Sequence, residues 1–393
     1  MSHVTFATIY PTGPLSVGST AAVARLISQV TDWLAQSHPG QVAAVCLPES
    51  NLEGLARYDL SLPAGNKFLY RLTNKLTSSV GLSGTFDDEV ALRTRRGVTK
   101  MMEAEMNPRI ILTATALAAV LTRRCFPKAR IILWAHSAPN RREEPFAARA
   151  FRAADALVLP SAALYDLLWQ RYAFEEFTPP VWIINNYIDQ KQFFPPTPEQ
   201  RDAARAKFGL EPDDFAIIHL SRGPVKGLQI LQSALPLVRA NGRRIVLLSA
   251  GDKIKETRRI NNVLEIRRLG RVPVDELRSL YHAGDLGAVP SVWFETFALA
   301  ALEMMTCGLC VLASRSGGLP EVIQDGRNGC IVDRPNDVQL WASMTEELIL
   351  NEEKRRSIAS QGPNTIVGKF DGAAFYSRWN ELFHTLLQPN GTR

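Results

Sequence analysis

Cysteine is scarce in this 393-residue chain, which has only five, at positions 46, 125, 307, 310 and 330. An odd and widely spaced set indicates no disulfide framework, so the sequence predicts a cytoplasmic protein in a reducing compartment. Cys307 and Cys310 form a C-x-x-C pair, but no second pair or nearby histidine completes a zinc site. Because both stand among apolar residues, we interpret them as small buried residues rather than redox groups or metal ligands. No metal or cofactor is predicted.

Long hydrophobic runs are also missing. The longest apolar run, from Ile110 to Thr122, is too short to cross a bilayer and is followed by two arginines. The first ten residues lack the charged start and the long apolar region of a secretory signal, and their pattern is typical of a buried strand. The sequence therefore predicts no transmembrane helix.

Acidic residues are depleted in one stretch of the first half. Between Arg93 and Arg152 there are 13 Lys or Arg against 4 Glu and no Asp, a net charge of +9. This imbalance favours a polyanionic or membrane-surface partner, although a solvated basic face is an equally good interpretation. Asn66 to Ser79 has the pattern of a basic amphipathic helix, which either packs on its own domain or contacts a membrane face. Peripheral contact with the inner membrane face is thus a hypothesis, and a nucleic-acid partner is not predicted.

Several nucleotide and catalytic motifs are absent or incomplete. The segment from Gly13 to Thr20 has the glycine spacing of a phosphate loop, but Ser19 stands in the place of its lysine. No dinucleotide fingerprint, H-E-x-x-H, G-x-S-x-G or calcium-loop pattern occurs. The remaining possibility is that Gly18 and Ser19 open a helix whose free N–H groups bind a polar or anionic ligand. A plain turn and helix cap is the alternative.

Short β-branched runs alternate with helical patterns along the whole chain, which predicts α/β architecture with parallel sheets. The Pro-rich segment 193–198 interrupts the alternation and divides the predicted strands into two sets of six. The sequence therefore predicts two doubly wound, Rossmann-like domains facing across a cleft, an N-terminal domain over 1–192 and a C-terminal domain over 199–370. The first set is Val4 to Ile9, Val42 to Leu47, Arg109 to Thr113, Arg130 to Ala135, Ala156 to Pro160 and Val181 to Asn185. The second set is Phe215 to Ser221, Arg244 to Ala250, Val263 to Arg267, Asp285 to Pro290, Leu309 to Ser314 and Gly329 to Asp333. No strand is predicted between residues 48 and 108.

Two glutamates, Glu295 and Glu303, stand eight positions apart around an apolar run. A helix is predicted from Phe297 to about Cys307, with Gly308 ending it as the left-handed C′ residue. Eight residues at the helical rise separate the two acids by roughly 12 Å, which matches the length of a sugar diphosphate nucleoside. Each carboxylate could grip a pair of neighbouring hydroxyls, and the helix start at Phe297, Ala298 and Leu299 would direct N–H groups at the diphosphate. The alternative is a loop acid near a helix start and an exposed helix acid.

The segment from Leu269 to Asp333 resembles the C-terminal domain of family 4 retaining glycosyltransferases of GT-B fold. The resemblance rests on the E-x7-E pattern of Glu295 and Glu303, on Gly317-Gly318-Leu319-Pro320-Glu321, and on Asp325-Gly326-Arg327-Asn328-Gly329. Weaker similarities follow in the family's order: His136 in WAHSAP, Ser161 at a strand end, INNYID at 184–189, and Arg222 with Lys226.

The resemblance implies transfer of a hexosyl group from a nucleotide diphosphate sugar, a UDP sugar first of all, to an acceptor hydroxyl, with retention and without a metal. Arg222, Lys226 and the helix start would stabilise the leaving diphosphate. Glu295 and His136 would act at the sugar, Glu303 at the ribose, and Gly270 and Arg271 would border the base. Gly18 and Ser19 would line the acceptor side. The acceptor would be a sugar, a lipid-linked or a small molecule, as in surface polysaccharide or glycoconjugate synthesis, and the last helix, Phe375 to Leu387, would cross back onto the N-terminal domain.

The sequence departs from the family's pattern in four ways, one spacing and three substitutions. Arg222 and Lys226 are four apart instead of five, Ala298 replaces a glycine, Cys310 a proline and Tyr187 a glycine. A catalytically impaired homologue that docks a donor or a partner is therefore an alternative. A nucleotide sugar epimerase or a phosphorylase of the same fold is another.

Overall fold

The computed structural model describes residues 4–10, 22–46, 56–59, 85–139, 144–172, 179–220 and 223–388. The chain divides into two compact units. The first comprises residues 1–160, 164–184 and 378–393, and the second comprises 161–163 and 185–377. The division falls earlier than the predicted linker, because Ile188 and Phe193 are buried in the core of the second unit.

The first unit contains a parallel sheet of seven strands in the order β3-β2-β1-β4-β5-β6-β7. Its inner strands are apolar and buried along their length, as parallel strands covered on both faces must be. The strands are β1 (Phe6–Ile9), β2 (Val42–Cys46), β3 (Ala56–Asp59), β4 (Ile110–Thr113), β5 (Arg130–Trp134), β6 (Ala156–Leu159) and β7 (Val181–Ile183). The helices are α1 (Ala22–Ser37), α2 (Thr85–Glu103), α3 (Ala116–Cys125), α4 (Glu144–Ala153) and α5 (Ala162–Tyr172).

Strand β3 corrects the sequence prediction that residues 48–108 contain no strand. It pairs in parallel with β2 at the sheet edge. Its sequence, ARYD, contains no β-branched residue and shows no apolar alternation, so the signal that identified the other strands is missing. The basic helix predicted at 66–79 lies outside the described residues.

The second unit contains another seven-stranded sheet, in the order β10-β11-β9-β8-β12-β13-β14. Every pairing is parallel except that of β10 with β11. The order reverses between β8 and β12, so these two strands flank the switch point where doubly wound sheets bind ligands. The strands are β8 (Phe215–Leu220), β9 (Ile245–Ala250), β10 (Lys255–Arg259), β11 (Leu264–Gly270), β12 (Leu286–Val289), β13 (Cys310–Ser314) and β14 (Cys330–Val332).

The edge strand β10 was not predicted from the sequence. Its residues, KETRR, are all exposed and mostly charged, so they lack the apolar alternation of a half-buried strand. Charged edges of this kind keep a sheet from pairing with other molecules. The strand therefore has a physical reason to lack the usual sequence signal.

The helices of the second unit cover both faces of its sheet and bury two apolar clusters. They are α6 (Pro198–Lys207), α7 (Leu228–Ala234), α8 (Val274–His282), α9 (Leu299–Thr306), α10 (Leu319–Val322), α11 (Val338–Leu350) and α12 (Glu352–Ile366). Helix α13 (Gly372–Leu387) follows, and its residues from Arg378 onward cluster with the first unit. There Trp379 packs edge-on against Trp134, with ring centroids 4.7 Å apart. No helix among the described residues is long and apolar enough to span a membrane.

Candidate functional site

Lys226 and Glu295 meet at the switch point of the second unit. Lys226 follows β8 and Glu295 follows β12, the two strands between which the order reverses. The Lys226 Nζ atom lies 2.7 Å from Glu295 Oε2, and Ser291 donates to the same oxygen at 2.8 Å. The Glu295 side chain is 14% exposed and that of Lys226 33%. The sequence-predicted phosphate lysine and sugar-binding acid are thus brought together, while Arg222 lies outside the described residues.

The loop that carries Lys226 is held against the loop after β12 by a close backbone approach. Gly227 has a φ of +76°, and a Cβ atom there would lie 1.7 Å from the carbonyl oxygen of Pro290. Val292 N also donates to Val225 O at 3.1 Å. Only glycine combines the left-handed backbone with this contact. The close approach at Gly227 therefore fixes the position of the Lys226 ammonium group relative to Glu295.

The Gly317-Gly318 pair holds the backbone of Glu295. Gly318 N donates to Glu295 O at 2.7 Å, and a Cβ on Gly317 would lie 2.1 Å from that same oxygen. The following Glu321 accepts from the backbone N atoms of Ala162 and Ala163, at 3.1 and 2.6 Å. The glycines of this motif are therefore required by close packing around the acid.

Glu303 is buried on helix α9, which excludes the alternative of an exposed helix acid. The residue is 4% exposed, and its Oε2 atom accepts a hydrogen bond from the Tyr281 hydroxyl at 2.7 Å. The sequence did not identify Tyr281, because an aromatic residue on an amphipathic helix is ordinarily part of the core.

Helix α9 begins at Leu299, two residues later than predicted. Phe297 and Ala298 are buried and precede it, and Ala298 is the N-cap residue. An alanine has no side-chain acceptor, and no side chain caps this helix among the described residues. Leu299 N donates to Phe297 O at 3.1 Å, so the N–H groups that no described residue accepts are those of Ala300 and Ala301 in the first turn. The helix ends as predicted, with Gly308 at φ +78° beyond the C-cap Cys307.

The Asp325 to Gly329 motif forms a hydrogen-bonded turn before strand β14. Asn328 is 3% exposed, accepts from Gln324 N and donates to Val322 O and to Thr365 Oγ1. Asp325 accepts from Ile331 N. These bonds place the start of β14 beside β13, so the motif has a structural role.

Gly270 and Arg271 lie at the end of strand β11. Gly270 adopts a φ of +75°, and a Cβ there would approach Lys255 to 3.1 Å. Arg271 is exposed and forms no hydrogen bond or ion pair within the described part of the chain. The structure does not join these residues to the contacts around Glu295.

His136 belongs to the first unit, directly after β5. Its residue is partly exposed, but its Nε2 atom is buried and has no hydrogen-bond partner among the described residues. Its ring lies 4.5 Å from that of Trp134, and burial lowers the pKa of His136 to about 3. The imidazole is therefore neutral at physiological pH. Gly18 and Ser19 lie outside the described residues.

A row of three polar side chains on neighbouring strands lies near Lys226 and was not predicted from the sequence. Arg268, Ser249 and His219 are direct neighbours across β11, β9 and β8. Each has a buried atom without a hydrogen-bond partner in the described residues: Arg268 Nε, Ser249 Oγ and His219 Nε2. Burial lowers the pKa of His219 to about 4, with Lys226 pushing in the same direction. The sequence did contain a signal for this row, because His219 and Ser249 are polar residues near the carboxyl ends of two predicted strands.

The cysteines of the C-x-x-C pair are buried, as predicted. Cys307 and Cys310 are 2% and 0% exposed, and burial raises the pKa of Cys307 to about 12. Cys310 shares a hydrogen bond with Cys330, so neither thiol has the exposed, low-pKa character of a reactive cysteine.

Comparison with known proteins gives a family match for part of the second unit and the fold of the chain. Residues 214–351, which lie within the second unit, match the family described as Glycosyl transferases group 1. The whole chain has the GT-B fold. Sucrose-phosphate synthase from Thermosynechococcus elongatus superimposes with a TM-score of 0.75 at 17% identity, covering 98% of this chain and 99% of that one. Anabaena Alr3699/HepE in complex with UDP-glucose superimposes with a TM-score of 0.73 at 18% identity, covering 98% and 100%.

Curated relatives are similar over part of their length. Sulfoquinovosyl transferase SQD2 from Arabidopsis thaliana is 30% identical over 227 residues, 57% of this chain and 43% of the relative. D-inositol 3-phosphate glycosyltransferase from Mycolicibacterium smegmatis is 35% identical over 178 residues, 42% of this chain and 39% of the relative. The chain thus matches about two fifths of the length of these relatives.

Proposed function

We propose that the protein is a retaining glycosyltransferase that moves a hexosyl group from a nucleotide diphosphate sugar to an acceptor hydroxyl. The observation that carries this proposal is the contact of Lys226 with Glu295 at the switch point, ahead of a helix whose start no side chain caps. A cation, an acid and free N–H groups lie where a doubly wound sheet binds its ligand. A diphosphate with a sugar at one end requires this combination of groups.

The diphosphate would bind between Lys226 and the start of α9. Charge grows on the diphosphate as the glycosidic bond lengthens, so preorganised donors stabilise the transition state more than the ground state. Lys226 would exchange its contact with Glu295 for the phosphate oxygens. Glu295 would then accept hydrogen bonds from the sugar hydroxyls. Ser291 and Gly318, which donate to the Glu295 carboxylate and carbonyl, hold this residue in place.

The nucleoside would lie along α9 toward Glu303. A carboxylate can accept several hydrogen bonds, so Glu303 would bind ribose hydroxyls in addition to the Tyr281 hydroxyl that it accepts at 2.7 Å. Glu295 and Glu303 would thus hold opposite ends of the donor and not flank the scissile bond, as the paired acids of glycosidases do. We propose that the acceptor proton leaves through the phosphate of the donor, without a metal.

We propose a UDP sugar as donor and an anionic acceptor. The donor follows the structural neighbour that binds UDP-glucose. The acceptor follows the relative that acts on D-inositol 3-phosphate, together with the net charge of +9 between Arg93 and Arg152. Lipid-linked acceptors at a membrane surface would be anionic as well. Peripheral contact of the protein with a membrane is therefore part of the same proposal.

A second candidate function is donor binding without turnover. Arg222 and Lys226 are four positions apart in the sequence instead of the family's five, and Pro224–Lys226 form a 3-10 turn after Gly223. Ala298 fills the position of the family's glycine next to the diphosphate site. Both features favour a homologue that docks a donor or a partner.

Calorimetry with UDP and an assay of sugar release and transfer from UDP-glucose separate the two functions. We expect UDP binding and turnover in the wild type, and loss of most turnover in Lys226→Met and Glu295→Gln. The matched control is Lys207→Met with Glu276→Gln, which removes a half-exposed 2.9 Å ion pair elsewhere in the same unit. Binding without sugar release from any UDP sugar would favour the docking function, and full activity in both site variants would contradict the donor assignment.

A further inference from the structure

A cavity lies at the amino ends of strands β12 and β13, the opposite end of the sheet from Lys226 and Glu295. Its volume is about 1030 Å³, and it is lined by Asp285 and Leu309, the residues that directly precede β12 and β13. Lys226 and Glu295 instead follow the carboxyl ends of their strands. The cavity is thus separate from the proposed donor site, and its volume is that of a small-molecule pocket.

The cavity is lined by more arginines than acids. Asp202, Asp285 and Glu352 face five arginines, at positions 201, 205, 243, 355 and 356. Asp285 pairs with Arg201 at 2.7 Å and with Arg205 at 3.2 Å, and Glu352 pairs with Arg356 at 2.6 Å. Arg243 and Arg355 form no ion pair within the described part of the chain.

These two guanidinium groups both lie over the ring of Phe215, with the Cζ atom 5.3 Å from the ring centroid for Arg243 and 5.0 Å for Arg355. Arg355 is 6% exposed and donates only from Nη1, to the carbonyls of Leu348 and Ile349. Arg243 donates only from Nε, to Asp213 O. Each therefore keeps N–H donors that no described residue accepts.

The electrostatics of Arg355 indicate what is missing. Burial lowers the pKa of its guanidinium and the nearby Arg243 adds to the lowering, while the cavity acids Asp285 and Glu352 oppose it without forming an ion pair with Arg355 among the described residues. A buried cation without a paired anion is costly, and two such cations on one ring repel each other. An anion that accepted hydrogen bonds from both would offset desolvation and repulsion together.

We propose that this cavity binds an organic phosphate, whose phosphoryl group is held by Arg243 and Arg355. The planar guanidinium fork matches phosphate oxygens in geometry and charge. The remaining wall is largely apolar and accommodates the organic part: Pro195, Pro196, Leu210, Leu309 and Pro363. The assignment is independent of the proposed sugar transfer.

Calorimetric titration of the full chain with inorganic phosphate and with a set of sugar phosphates and mononucleotides tests this site. In Arg243→Gln we expect affinity to fall about tenfold or more, because a charge-assisted hydrogen bond and its charge are lost. Arg355→Lys keeps the charge but not the fork and should weaken binding as well. Arg334→Gln is the control, since Arg334 is a 74% exposed arginine that pairs with Asp337 outside the cavity.

Lys226→Met separates this cavity from the donor site. The proposal requires that at least one organic phosphate binds more tightly than inorganic phosphate, that its binding survives Lys226→Met, and that UDP binding survives Arg243→Gln. Equal affinity for inorganic phosphate would overturn the assignment of an organic ligand. Phosphate binding that is lost in Lys226→Met but unchanged in Arg243→Gln, or no binding by any probe, would overturn the site itself.

Discussion

Lys226 and Glu295 neutralise each other through one 2.7 Å contact, and each would meet a different part of a bound donor. An exchangeable ion pair of this kind keeps two charged groups in position at little cost, because neither is left unpaired before the ligand binds. Glu303 differs, since its bond to Tyr281 is buried and lies within the core around α9. The two acids therefore should respond differently to substitution.

We expect Glu303→Gln to weaken UDP binding about 10- to 100-fold, since it removes the charge from the proposed acceptor of the ribose hydroxyls. Glu295→Gln should instead lower turnover and leave UDP affinity nearly unchanged, because its proposed partner is the sugar. Calorimetry with UDP and steady-state kinetics with the UDP sugar measure the two effects.

Tyr281→Phe provides the comparison for Glu303. It keeps the ring in the core and removes only the hydroxyl that Glu303 accepts, so the loss of UDP affinity should be smaller than in Glu303→Gln. A Glu303→Gln protein that binds UDP as well as the wild type would show that the nucleoside lies elsewhere.

At the scale of elements, the loop after β8 and the loop after β12 are packed directly against each other. Gly227 brings the first onto Pro290 of the second, and Gly317 brings a third segment onto Glu295. The positions of Lys226 and Glu295 thus depend on backbone approaches that a side chain would prevent.

Gly227→Ala should destabilise the second unit and weaken UDP binding. The left-handed backbone alone costs an L-residue about 1–2 kcal/mol, and the overlap with Pro290 O adds to it by pushing Lys226 away. Gly326→Ala is the matched control, because Gly326 has a similar φ of +73° but no atom within 4 Å of its Cβ position. Chemical unfolding and UDP calorimetry should show a clear excess loss for Gly227→Ala, and equal effects in both variants would contradict the close-approach argument.

Sequence periodicity identified the elements that bury apolar residues and failed where burial does not decide the structure. The buried strands and the end of α9 at Gly308 were predicted, because alternation and a left-handed glycine are local signals. The edge strands β3 and β10 were missed, since their pairing depends on a neighbouring strand and not on their own residues. The pairing of Lys226 with Glu295 was not predictable either, because 69 residues separate them and only the strand order brings them together.

At the scale of the molecule, each unit contains a histidine whose pKa is strongly lowered by burial of its imidazole. Burial lowers the pKa of His136 to about 3 in the first unit and of His219 to about 4 in the second. Burial also lowers the pKa of His282, which contacts Phe194 O at 2.7 Å. For His219, Lys226 adds to the lowering while Asp252 opposes it. Each of these histidines takes up a proton more readily in the unfolded chain. At acidic pH the unfolded state therefore binds more protons than the folded state.

The free energy of unfolding should therefore fall as the pH drops from 7 to 5. The unfolded state binds more protons below the ordinary histidine pKa of about 6.5, so the stabilisation is complete above that pH and is lost as the pH falls toward the folded pKa values. Each histidine contributes a slope of up to about 1.4 kcal/mol per pH unit in this range.

Urea unfolding of the wild type at a series of pH values between 5 and 7, against His219→Gln and His136→Gln, measures this effect. The difference between the pH 7 and pH 5 stabilities is the readout, because each substitution also changes stability at every pH. His219→Gln should flatten the response of the transition that belongs to the second unit, and His136→Gln that of the first. Carboxylates whose pKa is lowered by arginine, such as Asp214 beside Arg244, act only below this window. A wild-type stability that is constant from pH 7 to 5 would mean that the imidazoles reach water in the folded protein and are not held neutral by burial.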